Sequence, residues 1–188
     1  MKSKLFGRTA LTIAVLLMIV SVSALAEDLA HKKFSGSING YTPQVGATGP
    51  YEFRGPWSLT TRGESGKAVF SAALNMELSD GWVITKNNSD FTPSARGAHT
   101  HHITFNDGTV TRTANGFEVT GTATITLNGN PAPISPSVLT IEITGGSDVE
   151  FSNITLTFQA PASNHFGSGP LPGVVRSVRW EECARERR

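Results

Sequence analysis

The stretch Phe117-Glu118-Val119-Thr120-Gly121-Thr122-Ala123-Thr124-Ile125-Thr126-Leu127 decides the fold. Phe117, Val119, Ala123, Ile125 and Leu127 alternate with Glu118, Thr120, Thr122, Thr124 and Thr126. Successive side chains of a strand point to opposite faces, so one face here is apolar and the other polar. That is the pattern of an antiparallel sheet with a core on one side and water on the other. The same period of two recurs along the chain, and helical periodicity is absent after the N-terminal leader.

Upstream, Phe34 and Ile38 oppose Ser35, Ser37 and Asn39. Tyr51, Phe53, Trp57 and Leu59 then alternate with Glu52, Arg54, Ser58 and Thr60. Pro56 falls on the polar side, where its missing N–H predicts an edge strand or a bulge. Gly63-Glu64-Ser65-Gly66 reads as a hairpin turn. After it, Ala68, Phe70, Ala72, Leu74, Met76 and Leu78 face inward. Ser79 to Gly97 is the longest irregular stretch, and loops of that length commonly carry function or act as lids.

The strand that begins at His99 is expected to end in a tight turn at Asn106-Asp107-Gly108, followed by a short strand from Thr109 to Thr113. Downstream of Leu127, Leu139, Ile141 and Ile143 alternate with Thr140, Glu142 and Thr144. Val149 and Phe151 keep one register while Ile154, Leu156 and Phe158 keep the other, which predicts a β-bulge at Ser152-Asn153. Pro161 to Pro172 reads as a loop, and Gly173 to Trp180 as the strand that closes the sheet.

Eight or nine long, half-polar strands joined mostly by short turns curl on themselves and lose their edges. The expected fold is all-β, a single antiparallel meander β-barrel. A two-sheet β-sandwich is the alternative, because periodicity does not separate the two. An outer-membrane barrel would turn apolar residues outward, whereas these strands turn out Thr and Glu.

The first residues read as a leader. Lys2, Lys4 and Arg8 precede the apolar run Leu11 to Val20, and Ala24-Leu25-Ala26 offers a small-x-small cleavage site. Cleavage after Ala26 leaves one domain at 27–180 and a frayed tail at 181–188, with an uncleaved N-terminal anchor as the alternative. No second apolar run of spanning length follows, so a secreted or periplasmic protein without a membrane span is expected.

The whole chain carries 16 Lys+Arg and 15 Asp+Glu. Removing the three leader bases changes the balance to 13 against 15, a net charge of −2. Without a basic footprint, nucleic-acid binding is not expected. Cys183 is the single cysteine, so no intramolecular disulfide holds the domain and the core must.

Chemistry concentrates in His99-Thr100-His101-His102, which holds three of the five histidines. His99 and His101 share the inward face with Ile103 and Phe105, and His102 lies on the other. Two imidazoles side by side on one strand suit ligation of a transition metal such as zinc or copper. His165, in the Pro161 to Pro172 loop, is the natural third ligand; outward Glu118 and turn residue Asp107 are poorer ones. The plainer alternative is a hydrogen-bonded pair at a barrel rim.

His102 is the candidate general base, should the chain be an enzyme. Trp82 and Phe166, both in loops, are candidate ligand-binding aromatics. A cupin is mostly excluded, since the Glu expected four or five residues after His-x-His is replaced by Phe105 and Asn106. Gly-x-Ser-x-Gly is absent, and Glu52, Glu77, Glu118 and Glu142 all fall on the outer face. Serine hydrolysis and a glycosidase carboxylate pair are therefore not expected.

Ala98 to Ile103, Gly116 to Gly129, Ser152 to Phe158 and His165-Phe166-Gly167 together resemble an uncharacterised family of small exported β-proteins. The resemblance covers Phe34 to Val175. In that family a His precedes Gly-Val-Val, where this chain has Pro172, so any ligand role the resemblance implies there is lost. The meander is also similar in architecture to the barrels of allene oxide cyclases and dirigent proteins, a likeness that carries no function.

Three functions follow as expectations. The first is an exported barrel that binds a small molecule or a metal. The second is a cyclase-, isomerase- or lyase-type enzyme using the barrel cavity with a histidine or bound metal. The third is a structural or surface-interaction protein. Oligomeric state is not legible.

Overall fold

Alternation over ten or more residues is long enough for each apolar stripe to line one continuous core, and the chain uses it that way. The computed structural model describes residues 29, 31–42, 51–62, 66–78, 98–145 and 151–180. Its strands are β1 (Lys32–Tyr41), β2 (Tyr51–Arg62), β3 (Lys67–Leu78), β4 (His99–Thr113), β5 (Gly116–Leu127), β6 (Asn130–Pro131), β7 (Ser137–Thr144), β8 (Asn153–Phe158) and β9 (Leu171–Trp180). One helical turn, α1 (Ser163–Phe166), stands between β8 and β9.

Every pairing is antiparallel. Around the ring the order is β1-β2-β3-β4-β5-β7-β8-β9, and β9 returns to β1. The fold is thus a closed eight-stranded meander barrel with the two-residue β6 appended to β5. Gly173 to Trp180 does close the sheet, as its position in the sequence suggests. The leader, Trp82 and the rest of Ser79 to Gly97, turn residues 63–65 and the tail 181–188 lie outside the described residues.

An eight-stranded barrel is just wide enough for side chains to fill it. Phe34, Phe53, Phe70, Phe117, Phe166, Leu59, Leu74, Met76, Ile103, Ile125 and Leu139 are all fully buried inside. Two ends can be told apart. At one, Phe34 packs on Phe117 and Phe151 with ring centroids 5.1 and 5.3 Å away. Inward Thr61 is buried at the same end, and its hydroxyl is satisfied by the Leu29 carbonyl and the Lys32 N–H. The other end holds the histidines, one strand length away.

Four local expectations change. β2 is an interior strand in unbroken register with β1 and β3, not an edge. Pro56 is exposed and forms no rung with β3, so the closed ring absorbs one missing hydrogen bond. Asn106-Asp107-Gly108 is not a turn but a bulge inside the fifteen-residue β4. A tight turn would pair the two halves of β4 with each other, whereas both halves pair with β3 and β5 instead. The extra residue moves the buried positions from odd (His101, Ile103, Phe105) to even (Gly108). A Cβ on Gly108 would stand 2.4 Å from the Phe105 ring, so glycine lets that ring fold inward.

The slip at Ser152-Asn153 exists, since Phe151 and Ile154 are both buried. It lies at the mouth of β8 rather than within it, because the strand begins at Asn153 and runs in regular register with β7. Finally, the Pro161 to Pro172 loop contains α1, four residues being too few to display a helical period.

Candidate metal centre

β4 begins at the barrel rim, and its alternation points His99 and His101 inward. His101 is 1 % exposed, and His99 is half-buried nearer the mouth. His165 arrives from across the barrel. It sits on α1, where Phe166 is buried and stacks on Phe158 of β8 with centroids 4.4 Å apart. That stack pins the turn and leaves His165 facing the β4 pair.

The three rings meet through the same atom. His165 Nε2 lies 3.0 Å from His101 Nε2 and 3.2 Å from His99 Nε2. Ring centroids are 4.8, 4.9 and 5.3 Å apart within the trio. Phe166 lies edge-on to His101 at 5.0 Å and forms the floor. Tyr51 stands toward the mouth, 5.9 Å from His99 and 6.4 Å from His165.

His101 is also anchored from behind. Its Nδ1 lies 2.8 Å from the Thr126 carbonyl of β5. A carbonyl only accepts, so Nδ1 carries the proton and Nε2 turns a lone pair toward the other two histidines. An outer partner that fixes the tautomer in this way is the usual companion of a metal-ligating histidine. Among the described residues the three histidines form a group of ligand atoms within 4.8 Å of one another, with no carboxylate in it. Asp107 instead pairs with Lys67 at 3.1 Å, and Glu118 accepts from the Thr120 hydroxyl at 3.3 Å.

Electrostatics disfavour the charged forms of His101 and His165. Burial pushes the His101 pKa down from 6.5 to about 4; the Thr126 carbonyl opposes this, and the neighbouring His165 and His99 add to the depression. His165 is lowered as well, by burial first and then by His99. Between pH 6.5 and 4 an unfolded chain therefore takes up a proton that folded His101 refuses.

The stability of metal-free protein should be full above about pH 6.5 and decline as pH falls toward about 4. The loss across that pH range should be on the order of 3 kcal/mol. Urea midpoints measured on chelator-treated protein from pH 7 to 4.5 check this. A flat profile would contradict a neutral, buried His101.

The other predicted residues are placed as follows. His102 is exposed on the outer face, and its backbone N–H donates to the Thr126 hydroxyl at 3.3 Å. Phe166 is fully buried beneath the histidines, and Trp82 lies outside the described residues. Two further residues stand beside the histidines. Thr126 acts through its backbone carbonyl, which no side-chain pattern reveals, whereas Tyr51 reads in the sequence as an aromatic that could line a ligand cup but is favoured for core packing.

A cleft of about 250 Å³ on the wall beside His99 is lined by Glu52, Arg54, Asn75 and Asn128 among others. Glu52 in it is held by Arg54 at 2.8 Å. Compared with protein-family models, with curated proteins and with solved structures, the chain has no match, and the convergent histidines must be read from their own geometry.

Proposed function

We propose that this chain is an exported metal-binding β-barrel that holds one transition-metal ion on Nε2 of His99, His101 and His165. One observation carries the reading: three imidazole nitrogens from two separate elements meet at 3.0 and 3.2 Å. Zinc or copper bound tetrahedrally at about 2.0–2.1 Å from nitrogen would set its ligands about 3.3 Å apart. The two contacts of His165 need only a few tenths of an ångström of opening to match that spacing, and the His99 and His101 ligand atoms lie within 4.8 Å of each other.

Without a cation the same arrangement is less well satisfied. His165 Nε2 has one proton at most, and it faces two other ring nitrogens, one of which is already fixed as a lone pair by Thr126. The packing supports an ion before an organic molecule. Phe53, Leu74, Met76, Phe158 and Phe166 are all buried around the histidine end. Export follows from the leader ending at Ala26, and an N-terminal sequence of the secreted protein beginning at Glu27 would bear it out.

The test is metal content. Untagged protein secreted by its own leader is analysed by elemental mass spectrometry beside a His99→Ala/His101→Ala double variant. About one metal ion per chain in the wild type and none in the variant is the expected result. No metal in either, with wild-type stability unchanged on adding zinc or copper, would reduce the trio to a hydrogen-bonded rim cluster.

A further inference from the structure

Three imidazoles alone leave the ion's charge unbalanced and one coordination position unassigned. The histidine-bearing part of β4 is paired with β3 in a fixed register in which Met76 is the direct partner of His99 and Leu74 that of His101. Side chains of directly opposed residues lie on the same face, with Cβ atoms about 4.5–5.5 Å apart. Met76 therefore points into the barrel beside His99, where it is 1 % exposed. Its neighbour across the next ladder is Phe53, so the thioether is hemmed in on the side away from the histidines.

We propose that the ion held by the three histidines is copper(I) and that the Met76 thioether is its fourth ligand. This rests on reading His99, His101 and His165 as a metal centre, and it adds a residue and an identity to that reading.

Two arguments converge. The first is charge. The described ligand group holds three imidazoles and no carboxylate, and a thioether adds none. The cost of placing an ion in a low-dielectric interior rises with the square of its charge, so it is roughly fourfold smaller for a monovalent ion than for a divalent one of equal size. A neutral donor set in a barrel end floored by Phe166 favours the monovalent ion. The second is donor softness. Thioether sulfur is a soft donor that selects copper(I) and adds little for zinc, while imidazole serves both. A buried Met at this position is otherwise an ordinary gap-filling core residue, and the experiment must separate these two roles.

Met76→Leu does so, since a Leu-for-Met exchange conserves volume and usually costs less than about 1.5 kcal/mol. Wild-type and variant protein are loaded anaerobically with copper(I), and separately with zinc. Each is then titrated against a competing chelator of known affinity. The wild type should keep copper(I) against the chelator at concentrations that strip zinc. Met76→Leu should lower copper(I) affinity by at least about tenfold and leave zinc affinity within about twofold.

X-ray absorption of the copper-loaded protein supplies a readout that a purely structural role would not move. A sulfur scatterer should be present beside the nitrogens in the wild type and absent in Met76→Leu. An all-nitrogen shell in the wild type, or equal copper(I) affinity in both proteins, overturns the Met76 assignment while leaving the histidine centre standing. Zinc held more tightly than copper(I) overturns the identity. A wild type that binds neither ion brings down the centre itself.

Discussion

Alanine at His101 should abolish the proposed metal binding. His101 supplies one of three convergent Nε2 atoms, and its Nδ1 ties that ring to the Thr126 carbonyl at 2.8 Å. Losing a partner that merely orients a ligand costs about 10–100-fold in metal affinity, and His101→Ala removes the ligand itself. The expected loss is larger than that, so metal content after dialysis should fall from about one per chain to a small fraction.

His165→Ala should act alike, because α1 lies outside the barrel ladders and its loss of an imidazole leaves the strands paired. His102→Ala is the control, since that ring is exposed on the other face. Thermal unfolding gives a second readout. A ligand present at 100 times its dissociation constant stabilises the folded state by about 2.7 kcal/mol, and this metal-dependent increment should vanish in His101→Ala and His165→Ala alone. Full metal content in His101→Ala would refute the centre.

The largest loss of stability should come from the opposite end. Phe34 is fully buried and packs between Phe117 and Phe151 at centroid distances of 5.1 and 5.3 Å. Phe34→Ala leaves a cavity where β1, β5 and the segment leading into β8 are bridged by aromatic contact, and such truncations cost about 3–5 kcal/mol. For a domain of this size that corresponds to a fall in Tm of roughly 6–20 °C.

The folded fraction should bind metal as before. Phe117 opens β5 while Thr126, which anchors His101, lies near its far end, so most of a strand separates the two. A variant that melts normally would mean that this end of the barrel can close over the gap. One that folds but no longer binds metal would show that the two ends are not independent.

The amino-acid sequence alone determined the all-β class, the inward and outward faces and the two-histidine side of β4. These follow from a period of two, and a period is local: it needs only a few neighbouring residues to be read. The outward position of all four strand acids was legible for the same reason, and Glu118 and Glu142 do face each other across β5 and β7 on the outer wall.

What only the tertiary structure decided is everything that depends on which strand lies beside which. Closure of β9 on β1 separates a barrel from a sandwich, and alternation is identical in both. The Asn106-Asp107-Gly108 bulge imitates a hairpin turn until both halves of β4 are seen to share the partners β3 and β5. His165, 64 residues from His101, and Met76, opposed to His99 only through the β3–β4 register, reach the site because the ring closes. A histidine cluster of this kind is a three-dimensional coincidence of side chains, and here it is made by register and closure, neither of which a run of residues encodes locally.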